Sequence, residues 1–324
     1  MRPLFLTGER RHGSLVCTKK SPSTTHLLDY ALSFAEAYKN DKFFGIFWIN
    51  SYCHNIVDSP SLLDAEIVDF FEKLRKTSVY NNTFIVFFSD HGTRFGKMRL
   101  PVESYYDERL PMLFMWVPDT FRMENVVDYY NLQLNQRRLV TPYDLYLTLN
   151  KILQFTNSST IETHSEACPR CTSLFTEATP FRTCADAGVS EKWCSCHNMS
   201  ASSLIDKNAN HSLYLAVSHI QNVTKYIETR PCMVCITLDL SGVLRSHTYR
   251  DKHNNTNYVV AFKMSPQDII FEVIVVNVGD KFSVISTYSL TSYNTRSRGN
   301  CVINTNNRPY CVCQSIKNCT RKRT

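Results

Sequence analysis

The chain has 324 residues, 43% of them hydrophobic and 20% charged, with a formal net charge of +7. That balance can bury a core and excludes wholesale disorder, and the length suits one large domain or two ordinary ones. The charge is spread along the chain, its dense cluster Arg321-Lys322-Arg323 reading as a solvated tail rather than a nucleic-acid surface, and no run of about 18 apolar residues is present to span a bilayer.

From Leu27 to Lys39, the residues Leu28, Ala31, Leu32, Ala35 and Tyr38 recur at three- and four-residue spacing and predict an amphipathic helix. Phe43 to Ile49 is an apolar run fit for a buried strand. Ser61-Leu62-Leu63-Asp64 opens the next helix like a capping box with Asp in place of Glu, and Leu63, Ile67, Phe70, Phe71 and Leu74 form its inner stripe. Phe84 to Phe88 is a second strand, and Met112 to Val117 a third, stopped by Pro118. Helices near Asn125 to Leu134 and Tyr143 to Gln154 follow, the latter with Thr141 as cap and Pro142 at its first position. Strands alternating with helices predict an α/β fold with a mainly parallel sheet sandwiched by helices.

Composition shifts after Phe155. Residues 156–210 are rich in Cys, Ser, Thr and Asn, with little periodicity. Beyond them Pro231 to Leu240, Tyr258 to Lys263, Asp268 to Val278 and Lys281 to Tyr288 read as strands, the last pair joined by a hairpin turn at Gly279-Asp280. Three consecutive regions are expected: an α/β region over 1–155, a Cys-rich, disulfide-stapled linker over 156–210, and a β-rich region over 211–324.

Eleven of the thirteen cysteines follow residue 167: Cys168, Cys171, Cys184, Cys194, Cys196, Cys232, Cys235, Cys301, Cys311, Cys313 and Cys319. Their paired spacings fit zinc knuckles or disulfides. Sequons at Asn81, Asn157, Asn198, Asn210, Asn222, Asn254 and Asn318 decide for disulfides, because glycosylation and stable disulfides share an oxidising compartment. The expected location is extracellular or the lumen of the secretory pathway. The odd total leaves one thiol free or intermolecular, with Cys53 the first candidate. Met1 to Leu6 is too short for the core of a signal peptide, so the sequence is expected to be part of a longer one.

The chemistry concentrates at Ser89-Asp90-His91-Gly92, directly after the apolar run Phe84 to Phe88. In open α/β sheets ligands bind beyond the carboxyl ends of strands, where the last side chains leave the core. Asp supplies a hard oxygen and neutral His a borderline nitrogen, a pair suited to a divalent ion of the zinc or calcium class, and Gly92 lets the backbone turn. His54 follows the strand expected to end at Ile49 and is expected at the same rim, as a third ligand. Arg94 and Arg99 either pair with an anionic ester or bind Glu103, Asp107 or Glu108. Cys53 is adjacent to His54, and neighbours on an extended segment point to opposite sides, so it is read as a bystander thiol. His164 is either a late metal ligand or a loop histidine.

The run Ser89-Asp90-His91-Gly92, Arg94-Phe95-Gly96, Arg99, Glu108-Arg109-Leu110-Pro111, Pro118 and Phe121-Arg122 resembles a family of animal proteins, domain of unknown function 229, in the alkaline phosphatase and sulfatase superfamily. Upstream, Leu28-Asp29-Tyr30, Phe34, Tyr38, Phe44-Gly45, Trp48, Ser51 and His54 fit the same pattern. Downstream, Thr141-Pro142-Tyr143-Asp144, Ser173-Leu174-Phe175, Arg182-Thr183-Cys184, Ala187 and Trp193-Cys194-Ser195-Cys196 fit it too. The resemblance implies a partial alkaline-phosphatase-like sheet over 1–155 and a two-metal esterase site, in which Asp90 and His91 share an ion with a carboxylate and a nucleophile from an amino-terminal half absent here. The sequence departs from relatives at Asn55, where they carry an acid for which Asp58 could substitute, and at Pro101 and Ser104, where they tend to carry Thr and Gly.

The reading is a secreted or lumenal sulfatase- or phosphatase-like protein that retains part of a metal-dependent ester-hydrolase site and is inactive alone, acting on or binding a phosphate or sulfate ester. An extracellular glycoprotein that binds anionic glycans or matrix without catalysis is the alternative, as is an active metallohydrolase if the true chain is longer. A zinc-finger nucleic-acid binder rests only on the paired cysteines and basic tail.

Overall fold

A computed structural model of the chain describes residues 8–11, 14–18, 21–50, 52, 60–94, 96–155, 164–291, 297–317 and 319. In chain order its elements are strands β1 (Gly8–Arg11) and β2 (Ser14–Thr18), helices α1 (Ser23–Ala37) and α2 (Asp64–Arg75), strand β3 (Ile85–Phe88), helix α3 (Ser104–Arg109), strand β4 (Leu113–Trp116), helices α4 (Asp119–Glu124), α5 (Val126–Asn135) and α6 (Pro142–Gln154), strand β5 (Ser200–Ala201) and helix α7 (Lys207–Lys225). Strands β6 (Met233–Cys235), β7 (Asp239–Arg250), β8 (Thr256–Ser265), β9 (Ile269–Val278), β10 (Lys281–Ser289) and β11 (Cys313–Ser315) complete the chain. The fold is mixed α/β with antiparallel sheets and a β-rich carboxyl-terminal region. It divides into two units, one of residues 1–90, 111–165 and 172–181, the other of residues 91–110, 166–171 and 182–324.

In the first unit, α1 and α2 bury Ala35, Leu74 and Val79 against Leu32, Phe43, Phe70 and Ile85. A second cluster joins Val117, Phe121 and Phe175 with Phe84, Met115, Tyr129, Leu132 and Ile152. α6 begins as expected, with Thr141 and Asp144 forming a capping box and Pro142 at the first position. The Asp144 carboxylate accepts from the Thr141 N–H at 2.8 Å and from the Thr172 N–H at 3.0 Å. Strands β3 and β4 pair antiparallel, Ile85 opposite Trp116 and Phe88 opposite Leu113, not parallel as the alternation predicted. A parallel pair needs a crossover laid on the same sheet, whereas residues 91–110 between them fold with the second unit. Phe43 to Ile49 joins no ladder among the described residues, and Phe44, Ile46 and Trp48 are exposed. An apolar run marks burial or extension without specifying a partner strand.

The second unit is built on a five-stranded antiparallel sheet in the order β10-β9-β8-β7-β5. Alternation along β8 and β9 gives it two faces. Tyr258, Val260, Phe262 and Met264, with Ile269, Phe271, Val273 and Val275, bury against Ala209, Leu213, Ala216, Val217 and Ile220 of α7. Val259 and Ile274, on the other face, meet Tyr105 of α3 and Tyr249. The β9–β10 hairpin turns at Gly279 and Asp280, both at positive φ (54° and 65°), as a two-residue hairpin loop matched to strand twist requires. Helix α7 was not anticipated. Its buried residues recur at helical spacing, but they are interleaved with polar and β-branched residues that weaken the signal. Beside it, β6 and β11 form a short ladder around Cys301, Val302 and Cys311. No helix among the described residues is long and apolar enough to cross a membrane.

Candidate functional site

Strand β3 delivers the chain to the candidate ligands. Beyond Phe88, the Ser89 N–H donates to the Met112 carbonyl at 3.1 Å and the Met112 N–H donates to Ser89 Oγ at 3.1 Å, a latch that fixes where the strand ends. Asp90 follows, exposed. The division between the two units falls between Asp90 and His91. His91 is half-buried, and its Nδ1 lies 2.7 Å from the Gly92 carbonyl oxygen. A carbonyl only accepts, so Nδ1 carries the proton and the lone pair is on Nε2. Metal-binding histidines are commonly held in this manner, by a carbonyl on the nitrogen that does not face the ion.

Gly92 is where the turn meets α3. Its N–H donates to the Glu108 carbonyl at 3.2 Å, and a Cβ at this position would lie 2.0 Å from the Asp107 carbonyl oxygen. Only glycine allows so close an approach of two backbones.

Helix α3 is itself tied down by buried charge. Arg99 and Glu108 are 1% and 4% exposed, and Glu272 on β9 is fully buried. Arg99 Nη2 is 2.9 Å from Glu108 Oε2 and 3.6 Å from Glu272 Oε1. Arg99 also donates to the Ser104 carbonyl, while Ser104 Oγ donates to the Pro101 carbonyl at 2.6 Å. From β7, Arg245 reaches Glu272 Oε2 at 2.6 Å and donates through Nε to the Leu100 carbonyl at 3.0 Å. Burial depresses the Arg245 pKa, and Glu272 opposes that shift. Arg109 approaches Glu108 Oε2 at 3.3 Å and lies over the Tyr105 ring at 3.6 Å, with Trp193 and Tyr288 further out. Burial pushes the Tyr105 phenol up to about 12, Arg109 partly offsetting it. The phenol donates to the Cys194 carbonyl at 3.2 Å. Pro101 and Ser104 thus shape the loop that carries Arg99.

Of the two arginines proposed for an ester, Arg99 takes the salt-bridge alternative: enclosed between two carboxylates, it cannot reach a ligand in solvent. Arg94 is exposed, its Nε 3.7 Å from Glu108 Oε1, too long for a hydrogen bond, so it keeps capacity for an anion. His54, Cys53, Asn55 and Asp58 lie outside the described residues. His164 is exposed. Among the described residues, no third imidazole, thiol or carboxylate closes a cluster with Asp90 and His91. The clusters that do form are Cys184, Cys194 and Cys196, and Cys235, Cys301 and Cys311.

Five disulfides account for ten of the eleven late cysteines: Cys168–Cys171, Cys184–Cys194, Cys232–Cys319, Cys235–Cys311 and Cys301–Cys313. Cys196, expected to be paired, is an exposed thiol, and Cys17 is also free. Only the Cys168 pair closes within its own C-x-x-C. Cys232 and Cys235 instead reach different partners, Cys319 and Cys311, rather than each other. The sequon residues Asn81, Asn198, Asn210, Asn222 and Asn254 are all exposed, and Asn157 and Asn318 lie outside the described residues.

Residues 1–244 match the family model described as "Protein of unknown function (DUF229)". The chain belongs to the DUF229 family. The match takes in Asp90, His91, Gly92, Arg99 and the whole of α3, and stops before both Arg245 and Glu272, the carboxylate that Arg99 and Arg245 share. The DUF229 segment therefore depends for its buried charge balance on a residue of the following β-rich region. No curated protein and no solved structure matches the chain.

What sequence reasoning missed here is the network. Glu108-Arg109 stood out as part of a pattern, but an ion pair with Arg99, Arg245 and Glu272 is a contact between segments far apart in sequence. The available signal was that Glu272 interrupts an otherwise apolar strand, Ile269 to Val276, where an acid is rarely buried without a partner.

Proposed function

We propose that this DUF229 protein is a secreted or lumenal glycoprotein of the sulfatase- and phosphatase-like class, in which Asp90 and His91 supply ligands to a divalent ion of the zinc or calcium class. The observation that carries the reading is the His91 ring, with its proton fixed on Nδ1 by the Gly92 carbonyl and its lone pair on Nε2. The donor set fits such an ion: one hard carboxylate oxygen and one imidazole nitrogen. Two ligands are fewer than such an ion takes, so His54 is assigned as the third, with water completing the shell. A bound divalent ion would supply charge neutralisation for a phosphate or sulfate ester. This chain's own part is to hold the imidazole in one tautomer, to present the Asp90 carboxylate at the end of β3, and to offer Arg94 to an anionic group. With no nucleophile assigned in this chain, it is inactive alone. Five disulfides and five exposed sequon asparagines support the compartment.

The test is metal analysis of protein made through a secretory route, beside an assay with aryl phosphate and aryl sulfate. The expected result is a bound divalent ion, lost in Asp90→Ala and His91→Ala, and no turnover by this chain. Metal content that is zero, or equal in the wild type and both variants, would count against the reading.

A further inference from the structure

Cys194 and Cys196 lie two residues apart on an extended stretch, so their side chains leave the backbone on the same side. Cys184 faces them from a tight loop in which the Val189 N–H donates to the Cys184 carbonyl at 2.8 Å. The three sulfurs lie within 4.8 Å of one another. In the structure Cys184 bonds to Cys194, and both are buried, while the Cys196 thiol is exposed. A thiol held beside a disulfide is the arrangement that thiol–disulfide exchange requires, since a thiolate attacks one sulfur and expels the other.

We infer that Cys184, Cys194 and Cys196 form an exchange site, in which Cys184 passes between Cys194 and Cys196. In the forward step the deprotonated Sγ of Cys196 donates an electron pair to Sγ of Cys184. The Cys184–Cys196 bond forms, the Cys184–Cys194 bond breaks, and Cys194 leaves with the electron pair and takes up the proton that Cys196 released. No external oxidant or reductant is consumed. The two isomers differ in where the thiol sits. With Cys184 on Cys194 the thiol is at the surface, open to a mixed disulfide with a small-molecule thiol such as glutathione; with Cys184 on Cys196 it is withdrawn to the buried position. The exchange also bears on α3. The Cys194 carbonyl receives the Tyr105 hydroxyl, and the His197 carbonyl receives the Tyr106 hydroxyl at 2.8 Å, so the segment that shifts is the one to which two tyrosines of α3 are bonded.

The experiment traps the isomers in the full-length protein. After incubation in a glutathione redox buffer, the protein is quenched with acid, alkylated with N-ethylmaleimide and mapped without reduction. The wild type should yield two species, a Cys184–Cys194 link with Cys196 alkylated and a Cys184–Cys196 link with Cys194 alkylated; Cys196→Ser should never yield the second. Cys194→Ser should form the Cys184–Cys196 link with the other four disulfides intact. Alkylation at Cys196 alone in the wild type, at every time and buffer poise, overturns the inference. So does Cys194→Ser with its other disulfides formed and both Cys184 and Cys196 alkylated. If Cys194→Ser does not fold, the wild-type map decides alone.

Discussion

A single methyl group at position 92 would have to occupy space 2.0 Å from the Asp107 carbonyl oxygen. The Gly92→Ala protein must therefore move the His91 turn off α3 or deform the helix end. Overpacking of this kind costs about 1–3 kcal/mol, and the urea midpoint should fall accordingly; an unchanged midpoint would mean the turn does not rest on α3. Glu272 poses the opposite problem. Replacing it with Gln leaves Arg245 and Arg99 facing a neutral amide in a site with no access to water. Breaking a buried pair costs about 3–5 kcal/mol, so Glu272→Gln should be among the most destabilising conservative changes in the chain, measurable by denaturant titration, while Glu177→Gln at the surface should be silent. The turn at Gly92 was legible in the sequence because glycine alone suits so close a backbone approach, whereas Asp90 and His91 are proposed as ligands from their types and order. The role of Arg99 was not, since whether a guanidinium meets an ester or a carboxylate depends on a strand far downstream.

Among elements, α6 and α7 show what local sequence can and cannot specify. Helix α6 announces itself through Thr141 and Pro142; the Thr141 and Asp144 side chains satisfy backbone donors at that end, and Pro142 brings no N–H that needs a partner. Asp144→Ala removes that cap and the acceptor for the Thr172 N–H, and should cost about 1–3 kcal/mol by denaturant titration. Helix α7 begins with an Asp206 cap on the Asn208 N–H and carries a regular buried stripe, yet its exposed face includes Asn208, Asn210, Asn222, His211 and Ser218, poor in helix propensity. Its stability comes from the sheet beneath it. Ile220→Ala should accordingly lose about 2–5 kcal/mol. The β9–β10 hairpin was legible to the residue because Gly279 and Asp280 tolerate positive φ, whereas the expected strand at Phe43 to Ile49 failed because its apolar content says nothing of a partner.

At the scale of the molecule, three half-buried imidazoles set the response to acid. His197, His219 and His247 all have pKa values depressed below 6.5 by burial, with Arg245 adding to the shift at His247 and Glu191 opposing it at His197. The unfolded chain therefore binds protons that the folded chain refuses, so stability is full above the unfolded value and declines as pH falls below it. Unfolding midpoints measured from about pH 7.5 down to about 5 should drop, before the carboxylates titrate; a flat profile across that window would contradict the burial of these rings. The long-range cross-links Cys232–Cys319 and Cys235–Cys311, spanning 87 and 76 residues, are nested, so in the chain-entropy account the first to close contributes about 4–5 kcal/mol and the second, closing a much shorter loop, contributes less.

The turn after β3 is proposed as an ion-binding turn. Calorimetric titration of the secreted, thiol-blocked protein with zinc and with calcium tests it most directly, using His91→Ala against His253→Ala, an exposed histidine on the β7–β8 loop. One saturable site for either ion, abolished by His91→Ala and retained by His253→Ala, is the predicted result. Equal binding by all three proteins, or no binding by any, would contradict it.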